Sequence, residues 1–171
     1  MTDSIGQHYL RTCLRNFQSL KALGDRVLMV INDQSLHEEE ENQNSLAILF
    51  QHISGNLLSR WTDFLTTDGE KPDRNRDGEF ENKRRSLAQT TQCWEKGWQT
   101  LFDTIESLDA DQLMQTITIR GENHTVTEAI QRALSHYAYH IGQLVYRAKR
   151  LHGDDSWPIM NYSKGNYSLK I

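Results

Sequence analysis

Two cysteines are all the chain contains. Cys13 and Cys93 fall in separate predicted helices without the CxxC spacing of a redox or zinc motif, and a chain of 171 residues does not need a disulfide to hold its core. Both are expected to be free, buried thiols. No stretch approaches the roughly 18 uninterrupted apolar residues that a membrane span requires, which excludes a membrane protein. The opening MTDSIGQHYLR has neither a basic start nor an apolar core followed by small residues. It does not read as a secretory signal, and a cytoplasmic location is expected. Basic charge is also short: the net charge is −4, without the basic footprint that nucleic-acid binding usually needs. The single basic cluster, Lys83-Arg84-Arg85, reads as a solvated helix start. GxSxG, P-loop and GxGxxG motifs are absent, so serine-hydrolase, nucleotidase and Rossmann readings find no support.

What is present is helical periodicity. One domain spanning residues 1–171 is the expectation, long enough to bury a substantial core. From Asp3 to about Ile31 the apolar residues Ile5, Tyr9, Leu10, Cys13, Leu14, Phe17 and Leu20 recur at three and four, with Gly24 placed to bend or end that helix. An acidic connection follows from Asn32 to Asn44, with room for one short helical turn. A second helix begins at Asn44 or Ser45 and runs to Trp61, containing an unfavourable Gly55 whose presence points to tight packing or close approach of another group. Thr66 to Asn82, with two Asp-Gly pairs and a proline, reads as a long solvated loop, in which Arg74, Arg76 and Asp77 are candidates for substrate contacts. The third helix is expected from Lys83 to Glu106 around Trp94 and Trp98. Thr116, Thr118 and Arg120 alternate with Ile117 and Ile119 before Gly121, the pattern of a short hairpin. The last helix opens on the capping box Thr125-Val-Thr-Glu128 and runs to His152, and the tail from Gly153 is expected to cross the surface. The fold class is therefore all-α: a four-helix bundle with a short β-hairpin before the last helix.

The last helix carries the chemistry. His136 and His140 are four residues apart and lie on one helical face about a turn from each other, able to grip one metal ion. His52, on the second helix at a border between polar and apolar faces, is the best third ligand. Catalytic zinc sites commonly combine three protein ligands with an open fourth position. Asn56, Ser59 and Arg60 share the His52 stripe, and Gln143 and Arg147 share that of the pair. These five are candidates to bind substrate or to orient the ligands. The ordinary alternative is a set of core-edge histidines and surface arginines. The remaining histidines, His8, His37, His124 and His152, are expected at the surface.

The four helical runs, the lone histidine of the second, and HYAYHIGQL in the fourth together resemble the DinB/YfiT-like superfamily of metal-binding four-helix bundles. HISGNLLSRWTDFLTTDGEKPDRNRDGEF and the closing Lys164-Gly-Asn segment look like a bacterial subgroup of uncharacterised function. The resemblance covers nearly the whole chain. It implies a bundle of DinB type and a metal triad at His52, His136 and His140, holding a divalent ion, zinc or nickel before iron, copper or cobalt. It also implies a small-molecule substrate and a thiol-dependent S-transferase whose ion activates a low-molecular-weight thiol such as bacillithiol. The alternatives are a hydrolase using metal-activated water and a non-catalytic, metal-binding or stress-related bundle. Nucleic acid and membrane are not expected partners.

The apolar arc of the last helix, from Ala129 and Ile130 to Ala148, is broad enough to cover more than one partner helix. A homodimer is therefore predicted, and light scattering at micromolar concentration should return twice the 19.9 kDa chain mass; a monomeric mass rules it out.

Overall fold

The computed structural model describes residues 4–153. The Trp157-Pro158 and Lys164 to Tyr167 portions of the tail lie outside the described residues. Four long helices, a short one and a two-stranded hairpin follow in order: α1 (Ile5–Val30), α2 (Asp33–Leu36), α3 (Leu46–Trp61), α4 (Leu87–Ser107), β1 (Thr116–Ile119), β2 (Glu122–Thr125) and α5 (Val126–His152). Single turns of 3-10 helix sit at Asp77–Phe80 and Ala110–Met114. In the bundle α3 packs on α4 and α5, and α1 packs on α4 and α5. No helix among the described residues is long and apolar enough to cross a membrane.

The helix starts follow from capping chemistry. Ser4, Ser86 and Thr125 each accept a hydrogen bond from the backbone N–H three residues on, and the side chain at that third position accepts one from the backbone N–H of the cap. Ser45, rather than Asn44, caps α3. At α4 the structure corrects the expected start at Lys83: the Ser86–Gln89 box sets the first turn, and Arg84 before it has φ 51°, outside any right-handed helix. The hairpin pairs Thr116 with Thr125 and Ile119 with Glu122, burying Ile117 and Ile119 on one face as the alternation requires.

One aromatic side chain from each long helix meets in the centre: Phe17, Trp61, Trp98 and Tyr137, none more than 1% exposed. Their ring centroids lie 5.6–6.4 Å apart in edge-on and tilted pairs, contacts worth about 0.5–1.5 kcal/mol each beyond the area they bury. Trp61 Nε1 donates to the Tyr137 hydroxyl at 3.1 Å, and that hydroxyl donates to Asn56 Oδ1 at 3.0 Å. This anchors α5 in rotation and height at the residue next to His136.

Gly24 neither bends nor ends α1, which continues unbroken through it. A Cβ at this position would overlap the Trp94 ring, so glycine is there to admit the indole, whose Nε1 donates to Asp25 at 2.7 Å. Gly24→Ala should therefore destabilise the protein by about 1–3 kcal/mol, the usual range for overpacking a filled core, although alanine is the better helix former. Urea unfolding followed by circular dichroism measures this; unchanged or raised stability would refute the packing argument.

Candidate metal centre

His52, fully within α3, and His136 and His140, one turn apart on α5, converge across the α3–α5 interface. Each offers one ring nitrogen, and these nitrogens all lie within 4.8 Å of one another. His52 is 4% exposed and its partners are half-buried. The ring centroids are 4.6–5.3 Å apart. His52 Nε2 stands 3.3 Å from His136 Nε2. Zinc–nitrogen bonds of about 2.0–2.1 Å meeting at the tetrahedral angle put two ligand nitrogens about 3.3 Å apart. The pair thus fits one ion without rearrangement.

The outward nitrogens are held as a ligand set requires. His52 Nδ1–H donates to the Glu79 carboxylate at 2.9 Å, and His140 Nδ1–H donates to Gln143 Oε1 at 2.8 Å. Both acceptors fix the tautomer that leaves Nε2 with a free lone pair facing the cluster. Burial, with His140 and His52 close by, pushes His136 down to about 3, so its imidazole is neutral at ordinary pH. His140 is likewise lowered, chiefly by burial. Neutral imidazole is the form that binds a metal.

Glu79 is the part of this site that the sequence alone does not reveal. It sits in the 3-10 turn Asp77–Phe80 of the long loop, only 6% exposed. Arg74 grips it with two hydrogen bonds, Nε to Oε1 at 2.7 Å and Nη2 to Oε2 at 2.8 Å. Burial alone would raise the carboxyl's pKa; the hydrogen bonds from His52 and Arg74 overcome that and hold it below the usual carboxylate range. Arg74 also pairs with Glu70 at 3.0 Å, and Glu70 with Arg120 of the hairpin at 3.3 Å. Phe80, next along, lays its ring 4.9 Å from that of His52. The expectation of a plain solvated loop over Thr66 to Asn82 is therefore corrected: the segment folds inward because a buried carboxylate needs its cation beside it. Gly55 carried the signal, since a Cβ there would overlap the Glu79 carboxylate.

The other candidates divide. Gln143 orients His140. Asn56 is buried beneath Tyr137 and lines, with His136, a cavity of about 150 Å³ that Arg60 also lines. Ser59 has a structural task instead: its Oγ donates to Gly69 O at 3.2 Å and accepts from Lys71 N at 2.9 Å, pinning the start of the loop. Arg147 is not at the surface but 3% exposed, bonded to Glu40 and to the Glu38 carbonyl, and so ties α5 to the connection before α3. Arg74 serves Glu79, Arg76 lines the same cavity as Arg60, and Asp77 is exposed at the head of its turn. His37 departs from its expected surface position: half-buried, it is 2.8 Å from both Asn82 Oδ1 and the Arg85 carbonyl. Cys13 is buried and Cys93 half-buried, and both are free.

A family model described as a protein of unknown function, DUF1572, matches residues 4–166. The chain belongs to the DUF1572 family. The match takes in both histidine-bearing helices and the Glu79 loop, so the site described here lies wholly within the DUF1572 region. No curated protein and no solved structure matches the chain.

If Glu79 orients His52, Glu79→Gln should weaken divalent-metal affinity by about 10–100-fold, the usual loss when a partner behind a ligand is changed, with the helical content kept. Competition against a chelating dye reads this, and an unchanged affinity would show that Glu79 acts only in packing.

Proposed function

We propose that this chain is a divalent-metal-dependent enzyme of the DinB/YfiT-like kind, its ion held by His52, His136 and His140. The observation that carries this reading is the convergence of three imidazoles from two helices, with His52 and His140 locked by Glu79 and Gln143 into the tautomer that points Nε2 inward. Core-edge histidines need no such arrangement. Three ligands from the protein leave a coordination position for an exogenous group, as in catalytic rather than structural zinc sites. Zinc and nickel both suit imidazole donors.

A bound divalent ion supplies Lewis acidity that keeps a thiol or a water deprotonated near neutral pH. The protein's own share is positional. Glu79 and Gln143 hold the ligand rings, Phe80 covers His52 from the loop side, and the aromatic centre below Tyr137 excludes solvent. Following the family resemblance, the reaction is S-transfer. The sulfur of a low-molecular-weight thiol, bacillithiol being one such, bonds to an electrophilic carbon whose leaving group departs with the bonding pair.

The test is elemental analysis of untagged protein purified without chelator, for wild type beside His52→Ala and His136→Ala. About one ion per chain is expected, lost in both variants while the bundle stays folded, because the core supplies most of the stability. Full metal content in either variant would refute the triad. With metal established, disappearance of free thiol in the presence of electrophiles supports transfer, whereas product formed without thiol replaces it with hydrolysis.

A further inference from the structure

Among the described residues three arginine side chains are deeply buried: Arg60, Arg74 and Arg147. Arg74 has Glu79 and Glu70, and Arg147 has Glu40. Arg60 has no hydrogen bond or ion pair among the described residues; it is 6% exposed, and its Nη1 is buried without a partner. Removing a guanidinium from water with nothing to offset it is costly. Where this fold uses a buried arginine structurally, it provides a carboxylate, and at Arg60 it provides a cavity instead.

That cavity, about 150 Å³ in volume, is lined by Asn56, Arg60, Arg76, Arg120, Arg132 and His136 among others. It therefore begins at a triad member and ends at the hairpin. It has about ten times the volume that a single water needs. Of its four arginines, Arg120 is paired with Glu70, whereas Arg76 and Arg132 make no ion pair among the described residues. No carboxylate lines it. Burial lowers the Arg60 pKa, and the nearby Arg132 and Arg74 charges add to this against the opposing pull of Tyr137 and Glu70. In a chain of net charge −4, this gathering of arginines focuses an attractive potential for anions at one place.

We infer that this cavity receives the anionic end of the small-molecule ligand, a compact group of two negative charges such as a phosphate monoester or a dicarboxylate, and so sets the substrate class of the adjoining triad. Guanidinium forks match both groups. Arg60 forms the floor, Arg76 and Arg132 close on the anion from the loop and from α5, and the rest of the ligand extends past His136. The inference rests on the metal-centre reading only for where the reacting part lies; the anion pocket itself stands on Arg60 and its neighbours.

Isothermal titration calorimetry tests it on the full chain, as purified and after metal loading, with inorganic phosphate, succinate, acetate and the neutral dimethyl succinate. Phosphate or succinate should bind more tightly than acetate or the diester, and which of the two binds tighter identifies the anion's chemistry. Arg76→Ala and Arg132→Ala, both at exposed positions, should each weaken that binding by about tenfold or more, as loss of a charge-assisted hydrogen bond does. Arg15→Ala on the outer face of α1 should leave it unchanged, and all three variants should keep wild-type metal content. Dianion affinity untouched by both pocket variants would place the ligand on the ion alone and overturn the inference, as would equal binding of the neutral diester. Neither result bears on the triad, whose failure would appear as missing metal with anion binding intact.

Discussion

A carboxylate buried against a helix backbone governs how this protein is built around its histidines. Glu79 cannot remain ionised in that position without opposite charge and hydrogen bonds close at hand, because the desolvation of an unpaired carboxylate amounts to several kcal/mol. Arg74 donates to both oxygens in its planar fork, His52 donates a second hydrogen bond to Oε2, and Gly55 leaves the space. Each of these is a constraint on a different stretch of chain. The loop must fold inward to bring Arg74 and Glu79 together, α3 must carry a glycine where alanine would form helix better, and the His52 ring must present its other nitrogen to α5.

The charges continue beyond the pair. From His52 outward, Glu79, Arg74, Glu70 and Arg120 alternate in charge along a hydrogen-bonded line from the bundle interior to the hairpin. Asp68 fastens the same region from the other side, accepting from the backbone N–H groups of Glu70, Arg120 and Gly121. Those three bonds outweigh the effect of partial burial and hold its carboxyl at about 2. The hairpin is thus an accessory to the loop, and the loop to the histidine. The triad and the arginine cavity share walls that this line of charge keeps in place.

Much of this was legible in the sequence because helices repeat. His136 and His140 announce a shared face by their spacing, Thr125 and Glu128 announce a helix start, and alternation around Ile117 and Ile119 announces a strand. His52 could be placed with them because it stands at the apolar border of a predicted helix. The start of α4 was harder: Lys83-Arg84-Arg85 look helical in composition, and only the reciprocal bonds of Ser86 and Gln89 place the start after them. Glu79 itself was not legible, only the close approach of some group to Gly55. A glutamate among acidic and glycine-rich neighbours has no period to betray it, and its partners lie on a helix and elsewhere in an irregular loop, so its role depends on a tertiary path that no local rule describes. His37 was misplaced for a related reason, since composition puts polar side chains outside and only its partners, Asn82 and Arg85, bring it in; Arg147, grouped by its stripe with the histidine pair, bonds to Glu40.

Gly55 and Glu79 form a complementary pair, one an absence and the other the group that occupies it. A side chain at 55 collides with the carboxylate, and a shorter group at 79 leaves a void against α3. The two positions therefore constrain each other. A relative that has lost the acidic loop is released to carry alanine in the middle of the ligand helix, and with it a histidine whose second nitrogen must find another acceptor.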